Sequence, residues 1–193
     1  MSTIVPLFTT LLQKLNYDPP KDLIDHINHY YQQNKYTVRE RSSRLGWQSS
    51  PHNIQQLQPV YDYIKQHIYL NCNIKLGNAW INVNHQGAYN VTHIHPNCDY
   101  TFVYYITDSN AAIVLESPNM FERYNHLVSV DKQYKQQYGT TTEYSVYPSK
   151  GDILIFPSFL KHRVNKQMTD VPRITCSFNI NTIKGSTRRV YSQ

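Results

Sequence analysis

The sequence predicts a mainly β fold of the α+β class: helices in the first third, then short strands forming a sandwich or barrel-like roll. Three observations carry this. Apolar residues recur at helical spacing up to about residue 70. From Lys75 onward the period falls to two, in short runs rich in β-branched and aromatic residues. Turn-forming residues separate those runs at Gln86-Gly87, Pro96-Asn97, Asp108-Ser109-Asn110 and Pro148-Ser149-Lys150-Gly151.

In chain order, Leu7, Leu11, Leu12 and Leu15 predict a first helix, which Asp18-Pro19-Pro20 ends. Leu23, Ile24, Ile27 and Tyr31 predict a second over residues 21–34. Residues 38–51 show no period and read as a loop around Trp47. A third helix is expected over 54–70, with Leu57, Val60, Tyr61, Ile64 and Ile68 on one side. Strands are expected over residues 79–84, 89–95, 100–107, 111–115, 143–147, 152–156, 162–164 and 173–181. Between them, residues 117–142 are polar and tyrosine-rich, and read as a surface loop or lid.

A chain of 193 residues suits one domain with a real core. The expected division is a mostly helical support (1–74), a β core (75–182) and a short tail (183–193). Hydrophobic residues make up 40% and charged residues 17%, an ordinary globular balance rather than a disordered one. The formal charge of +6 comes with no dense basic run; the nearest are Arg39-Glu40-Arg41 with Arg44, and Lys184 with Arg188-Arg189. That argues against a nucleic-acid partner. Cys72, Cys98 and Cys176 are an odd set with no CxxC spacing, so neither a disulfide framework nor a thiolate zinc site is expected. No apolar run reaches membrane-spanning length and residues 1–10 do not resemble a signal, so a cytoplasmic protein without a membrane partner is expected.

Chemistry concentrates in three places. Thr92-His93-Ile94-His95-Pro96 sets two imidazoles at i and i+2, which on a strand face the same way. A third imidazole, His162, follows the strand expected at 152–156. Three imidazoles suit iron, zinc, copper or nickel and leave coordination positions open. Eleven residues on, Arg173 heads a strand whose Thr175, Ser177 and Asn179 share its face, so a guanidinium and hydroxyls can clamp a carboxylate. Thr101 and Tyr105 share a face of the strand after the histidine pair. His26, His29, His52, His67, His85 and His126 read as surface or helix-side residues, and Trp47 and Trp80 as core.

These stretches, in this order, resemble the 2-oxoglutarate/Fe(II)-dependent oxygenase superfamily, and within it a small prolyl-hydroxylase-like family. The matching segments are Ala79-Trp80-Ile81-Asn82-Val83-Asn84, His93-Ile94-His95-Pro96 with Val103-Tyr104-Tyr105, Gly151 to Ser158 before His162, and Arg173 to Asn179. The resemblance implies a double-stranded β-helix (jelly roll, cupin-like) with supporting helices, Fe(II), and 2-oxoglutarate as co-substrate alongside O2. It implies a dioxygenase that couples oxidative decarboxylation of 2-oxoglutarate, giving succinate and CO2, to hydroxylation of an unactivated C–H bond. A protein or peptidyl side chain such as proline is the implied class of substrate. By the same resemblance Arg173 binds the distal carboxylate, helped by Tyr105 and Thr175 or Thr101, and Asn82 lines the cavity wall.

The sequence departs from the superfamily's HxD/E pattern, since His95 stands where the carboxylate would be. Three ligand sets are therefore open: His93, His95 and His162; a mixed set that recruits Asp99; or one in which a histidine only supports the others. A different class also fits three histidines. This is a cupin-like metal protein, whether binding module, isomerase or thiol dioxygenase-like enzyme, with no 2-oxoglutarate turnover and no special role for Arg173.

Overall fold

The computed structural model describes residues 9–37, 41–119 and 141–187. Most of the segment expected as a loop or lid, His126 and the end of the tail lie outside these residues. The elements run β1 (Gln13–Asn16), α1 (Lys21–Asn34), β2 (Ser43–Arg44), β3 (Trp47–Gln48), α2 (Gln58–His67), β4 (Cys72–Asn84), β5 (Tyr89–His93), β6 (Tyr100–Tyr105), β7 (Ile113–Glu116), β8 (Glu143–Val146), β9 (Asp152–Pro157), β10 (His162–Val164) and β11 (Arg173–Thr187). A single 3-10 turn, Gln55–Leu57, leads into α2.

The strands form two antiparallel sheets. The larger has the order β1-β9-β6-β11-β4-β3 and the smaller β2-β5-β10-β7-β8, the jelly roll that the resemblance implies. Helices α1 and α2 cover the outer face of the larger sheet. There Leu23, Ile27, Leu57, Val60 and Ile64 pack on Ile81, Phe102, Ile155, Phe178 and Ile180. A second, smaller core lies between the sheets, where Tyr105, Leu154 and Phe156 meet Ile113 and Leu115. Strand β9 has apolar side chains in both cores, which is why Ile153-Leu154-Ile155-Phe156 is a continuous apolar run. Gly151, at φ +87, makes the turn into it, and a Cβ there would come within 3.1 Å of the Tyr17 carbonyl oxygen.

The first expected helix is not formed where the chain is described. Gln13–Asn16 is an edge strand paired with β9, Leu15 opposite Ile153. The leucine spacing that suggested a helix instead places Leu12 against the inner core and Leu15 against the outer one. Burial on two sides imitates helical periodicity over so few residues. The loop around Trp47 contains two short strands that extend each sheet by one. At the other end β11 continues to Thr187, past the expected core boundary at 182. Among the described residues no helix is long and apolar enough to cross a membrane.

Candidate active site

Strand alternation gives β11 two opposite faces. Ile174, Cys176, Phe178 and Ile180 go to the helix side, while Arg173, Thr175, Ser177, Asn179 and Asn181 line a cavity of about 720 Å³ between the sheets. Asn82 and Trp80 on β4 sit opposite Thr175 and Ser177, and Tyr105 and Val103 on β6 flank the same pair from the other side. All four line the cavity, as do His93, His95 and His162 from across it.

The three histidines converge by register. His162 on β10 is the cross-strand partner of His93 on β5, which sets their ring centroids 4.2 Å apart. His95 lies just beyond β5, held by its backbone N–H, which donates to the Ser158 carbonyl at 3.0 Å. The chain then turns through Pro96 and Asn97, the latter at φ 64, a left-handed position that asparagine tolerates. The Ser158 N–H returns a bond to the Asp99 carbonyl at 3.0 Å, and its hydroxyl donates to that of Cys98. This ties the HxH turn to the loop that leads to His162.

The ring nitrogens are arranged as metal ligands need to be. His93 Nδ1 lies 2.8 Å from the Val91 carbonyl and His162 Nδ1 lies 2.9 Å from that of Leu160. A carbonyl only accepts, so each Nδ1 carries the proton and each Nε2 presents its lone pair to the centre. One ligand atom from each of the three rings lies within 4.8 Å of the others, and the Nε2 atoms of His95 and His162 are 3.3 Å apart. Two nitrogens each about 2.1 Å from one metal, at roughly 90–109° to each other, would be separated by about 3.0–3.4 Å. The donor set therefore fits a metal ion.

Burial and mutual repulsion keep the rings neutral. Burial first, then the neighbouring imidazoles, depress His95 to about 3. Burial and His93 depress His162 to about 4, and burial lowers His93. All three are thus deprotonated at neutral pH, the form that binds metal. The Trp80 indole stacks on His95 with ring centroids 5.6 Å apart. It is a cavity wall and not the core residue expected; Trp47 does lie in the core.

Asp99 is turned away from the rings: its Oδ2 accepts both the N–H and the hydroxyl of Thr182, each at 2.7 Å. At the deep end of the cavity stands Arg173, only 3% exposed. Its Nη2 donates to Asn90 Oδ1 at 3.0 Å, and its buried Nε has no partner. Among the described residues no carboxylate makes an ion pair with it, and burial lowers its pKa, with Tyr105 as the opposing influence. A guanidinium buried in this way lacks an anion. Burial pushes the Tyr105 phenol up to about 12, so it stays protonated and able to donate. Asn82 Nδ2 donates to the hydroxyls of Thr175 and Ser177 at 3.2 and 3.3 Å, which fixes both on the cavity wall.

Seven of the eight residues singled out from sequence pattern and resemblance line one cavity, Asn82 and Thr175 among them, whereas Thr101 does not: its side chain is buried beside Asn179, with Oγ1 3.5 Å from Asn179 Oδ1. Asn90, which orients Arg173, was not legible, since it meets Arg173 only when the two sheets face each other. Ser177 and Trp80 had a signal, the alternation of β11 and of β4.

The family model described as "Putative 2OG-Fe(II) oxygenase" matches residues 78–179, 102 of the 193 positions. No curated protein sequence matches the chain. Among solved structures, a prolyl hydroxylase from Trichoplax adhaerens, in complex with a peptide fragment of the hypoxia inducible factor oxygen degradation domain, is 14% identical. The alignment covers 97% of this chain and 90% of that one, with a TM-score of 0.63. A Pseudomonas putida prolyl-4-hydroxylase is 13% identical over 92% and 95%, with a TM-score of 0.55. HygX from Streptomyces hygroscopicus, with nickel, 2-oxoglutarate and hygromycin B bound, is 11% identical over 93% and 86%, with a TM-score of 0.54. At these identities the likeness shows a shared fold. The family match, resting on the segment that carries the HxH turn, His162 and the Arg173 strand, shows the rest: the chain belongs to the 2OG-Fe(II) oxygenases, whose cofactors are Fe(II) and 2-oxoglutarate.

Proposed function

We propose that this oxygenase is a hydroxylase, that His93, His95 and His162 hold its iron, and that Arg173 with Tyr105 and Thr175 receives the distal carboxylate of 2-oxoglutarate. The observation that carries the reading is the pairing, in one cavity, of three converging imidazoles with a buried guanidinium that has no carboxylate partner among the described residues. A cupin-like binding module gives no reason to keep such a guanidinium charged and buried.

The residues divide the work. Iron, when bound, supplies the activation of dioxygen that lets a C–H bond be oxidised. His93 and His162, locked by their Nδ1–H bonds, fix the direction in which their lone pairs point. Arg173, with one arm held by Asn90, presents its remaining N–H groups to an anion, and the protonated Tyr105 adds a donor. Asn82 holds the Thr175 and Ser177 hydroxyls in place. Trp80 covers His95 and keeps water from that side of the site.

The far end of the cavity, lined by Asn78, Asn97, Asn179 and Asn181, is where the substrate would enter. Its carboxamides suit a peptide backbone, and the likeness to prolyl hydroxylases supports a peptidyl side chain such as proline as the substrate class. The chain works, on this reading, as one domain in the cytoplasm; the free thiols Cys72, Cys98 and Cys176 support a reducing compartment. The test is Fe(II)-dependent conversion of 2-oxoglutarate to succinate by the purified protein. Turnover abolished by His162→Ala, and requiring far more 2-oxoglutarate in Arg173→Ala, is the expected result. Metal binding with no succinate formed under any condition would favour the cupin-like alternative.

A further inference from the structure

Resting on that assignment of ligands, we propose that this cavity supplies no negative charge of its own, so that metal and dicarboxylate each depend on the other to be held. Among the described residues that line it there is no Asp or Glu; the charged ones are Arg41 and Arg173. His95 occupies the position where a carboxylate ligand would have neutralised part of the metal's charge.

The carboxylates nearby are engaged elsewhere. Asp99 is bound to Thr182. Asp152 pairs with Lys14 at 2.7 Å and accepts the Ser149 N–H at 2.7 Å. Glu143 is held by both arms of Arg163, at 2.7 and 2.8 Å, and Glu116 lies 4.0 Å from the same guanidinium. A divalent ion between His93, His95 and His162 therefore meets only neutral nitrogens and, deeper in the cavity, a guanidinium. A dicarboxylate entering between them faces positive charge at both ends and removes most of the imbalance.

Coulomb attraction to groups as buried as His162 and Arg173 is screened by salt much less than attraction between surface charges. Coupling between two ligands is reciprocal: whatever factor the dicarboxylate adds to metal affinity, the metal adds to dicarboxylate affinity. The consequence is a protein that releases its metal when the co-substrate is scarce. Its iron loading would follow the supply of the keto acid.

The test uses the purified full chain and Co(II), with quenching of the Trp80 indole stacked on His95 as the readout of metal binding. The Co(II) Kd is measured alone, with 2-oxoglutarate, with succinate and with dimethyl succinate. Succinate carries both charges but has no keto group with which to chelate. The expected result is that 2-oxoglutarate and succinate each tighten Co(II), by about tenfold and at least about fivefold respectively, within the usual range of ligand coupling. The uncharged diester leaves it unchanged. Tightening by 2-oxoglutarate alone would reduce the effect to chelation and overturn the proposal, as would equal Co(II) affinity in all four cases. In His95→Asp, Co(II) alone should bind more tightly and the factor gained from succinate should shrink; an unchanged factor overturns it too. Should that variant not fold, the wild-type comparison of succinate with its diester decides alone. If Co(II) does not bind at all, the ligand assignment itself has failed.

Discussion

The two faces of β11 are made from alternate residues of one strand, yet they obey different rules. Toward the helices, Ile174, Cys176, Phe178 and Ile180 join a dry core in which the Phe178 ring meets Tyr61 edge-on at 4.9 Å. Toward the cavity, Arg173, Thr175, Ser177 and Asn179 are polar, and one of them carries a charge with no opposite partner among the described residues. One face holds the fold together and the other burdens it. Burying a guanidinium without an anion costs free energy, which the apolar side of the same strand offsets.

The contrast can be broken from either face. The largest expected effect is on the core side: Phe178→Ala should destabilise the fold by about 3–5 kcal/mol, lowering Tm by on the order of 10 °C. Affinity for 2-oxoglutarate in the fraction that remains folded should hardly change, as thermal melts and calorimetry would show. On the cavity side, Arg173→Ala should do the reverse. It should lose about 2–5 kcal/mol of 2-oxoglutarate binding, while the melting temperature stays level or rises, since an unpaired buried charge is gone. Arg173→Lys should recover little, because an ammonium cannot reproduce the guanidinium fork.

A graded effect comes from pH. His95 and His162 have folded-state values near 3 and 4 against a usual 6.5, so the unfolded chain binds more protons than the folded one between those limits. Stability of the metal-free protein is therefore fully present above about pH 6.5 and falls as the pH is lowered toward 4. Chemical denaturation at a series of pH values checks this; flat stability over that range would contradict the depressed values. The smallest effect expected is for Trp80→Ala, which should weaken metal binding several-fold by freeing His95, consistent with about 0.5–1.5 kcal/mol for an aromatic contact. Trp80→Phe should largely restore it.

How much of this was legible in the sequence depended on how local the cause was. Strand alternation set Arg173, Thr175, Ser177 and Asn179 on one face, and the HxH spacing set His93 and His95 side by side, so both were readable. Thr101 shares a face with Tyr105 but is buried beside Asn179, and only the packing of β6 on β11 decides that. Leu12 and Leu15 imitated a helix because two separate cores claim them. Asn90 could not be found, as its partner is 83 residues away and across the sandwich. The role of Asp99 was open in sequence and depended on Thr182, equally distant along the chain.

On the proposed reading, three histidines and a buried arginine serve one metal–keto-acid site. Its most direct test is anaerobic titration of the Fe(II)-loaded protein with 2-oxoglutarate, watching the visible charge-transfer absorption of the chelate. A saturable band that disappears in His162→Ala, and needs much more 2-oxoglutarate in Arg173→Ala, is the expected result. Tight metal binding with no band at any 2-oxoglutarate concentration, or a titration that Arg173→Ala leaves unchanged, would contradict it.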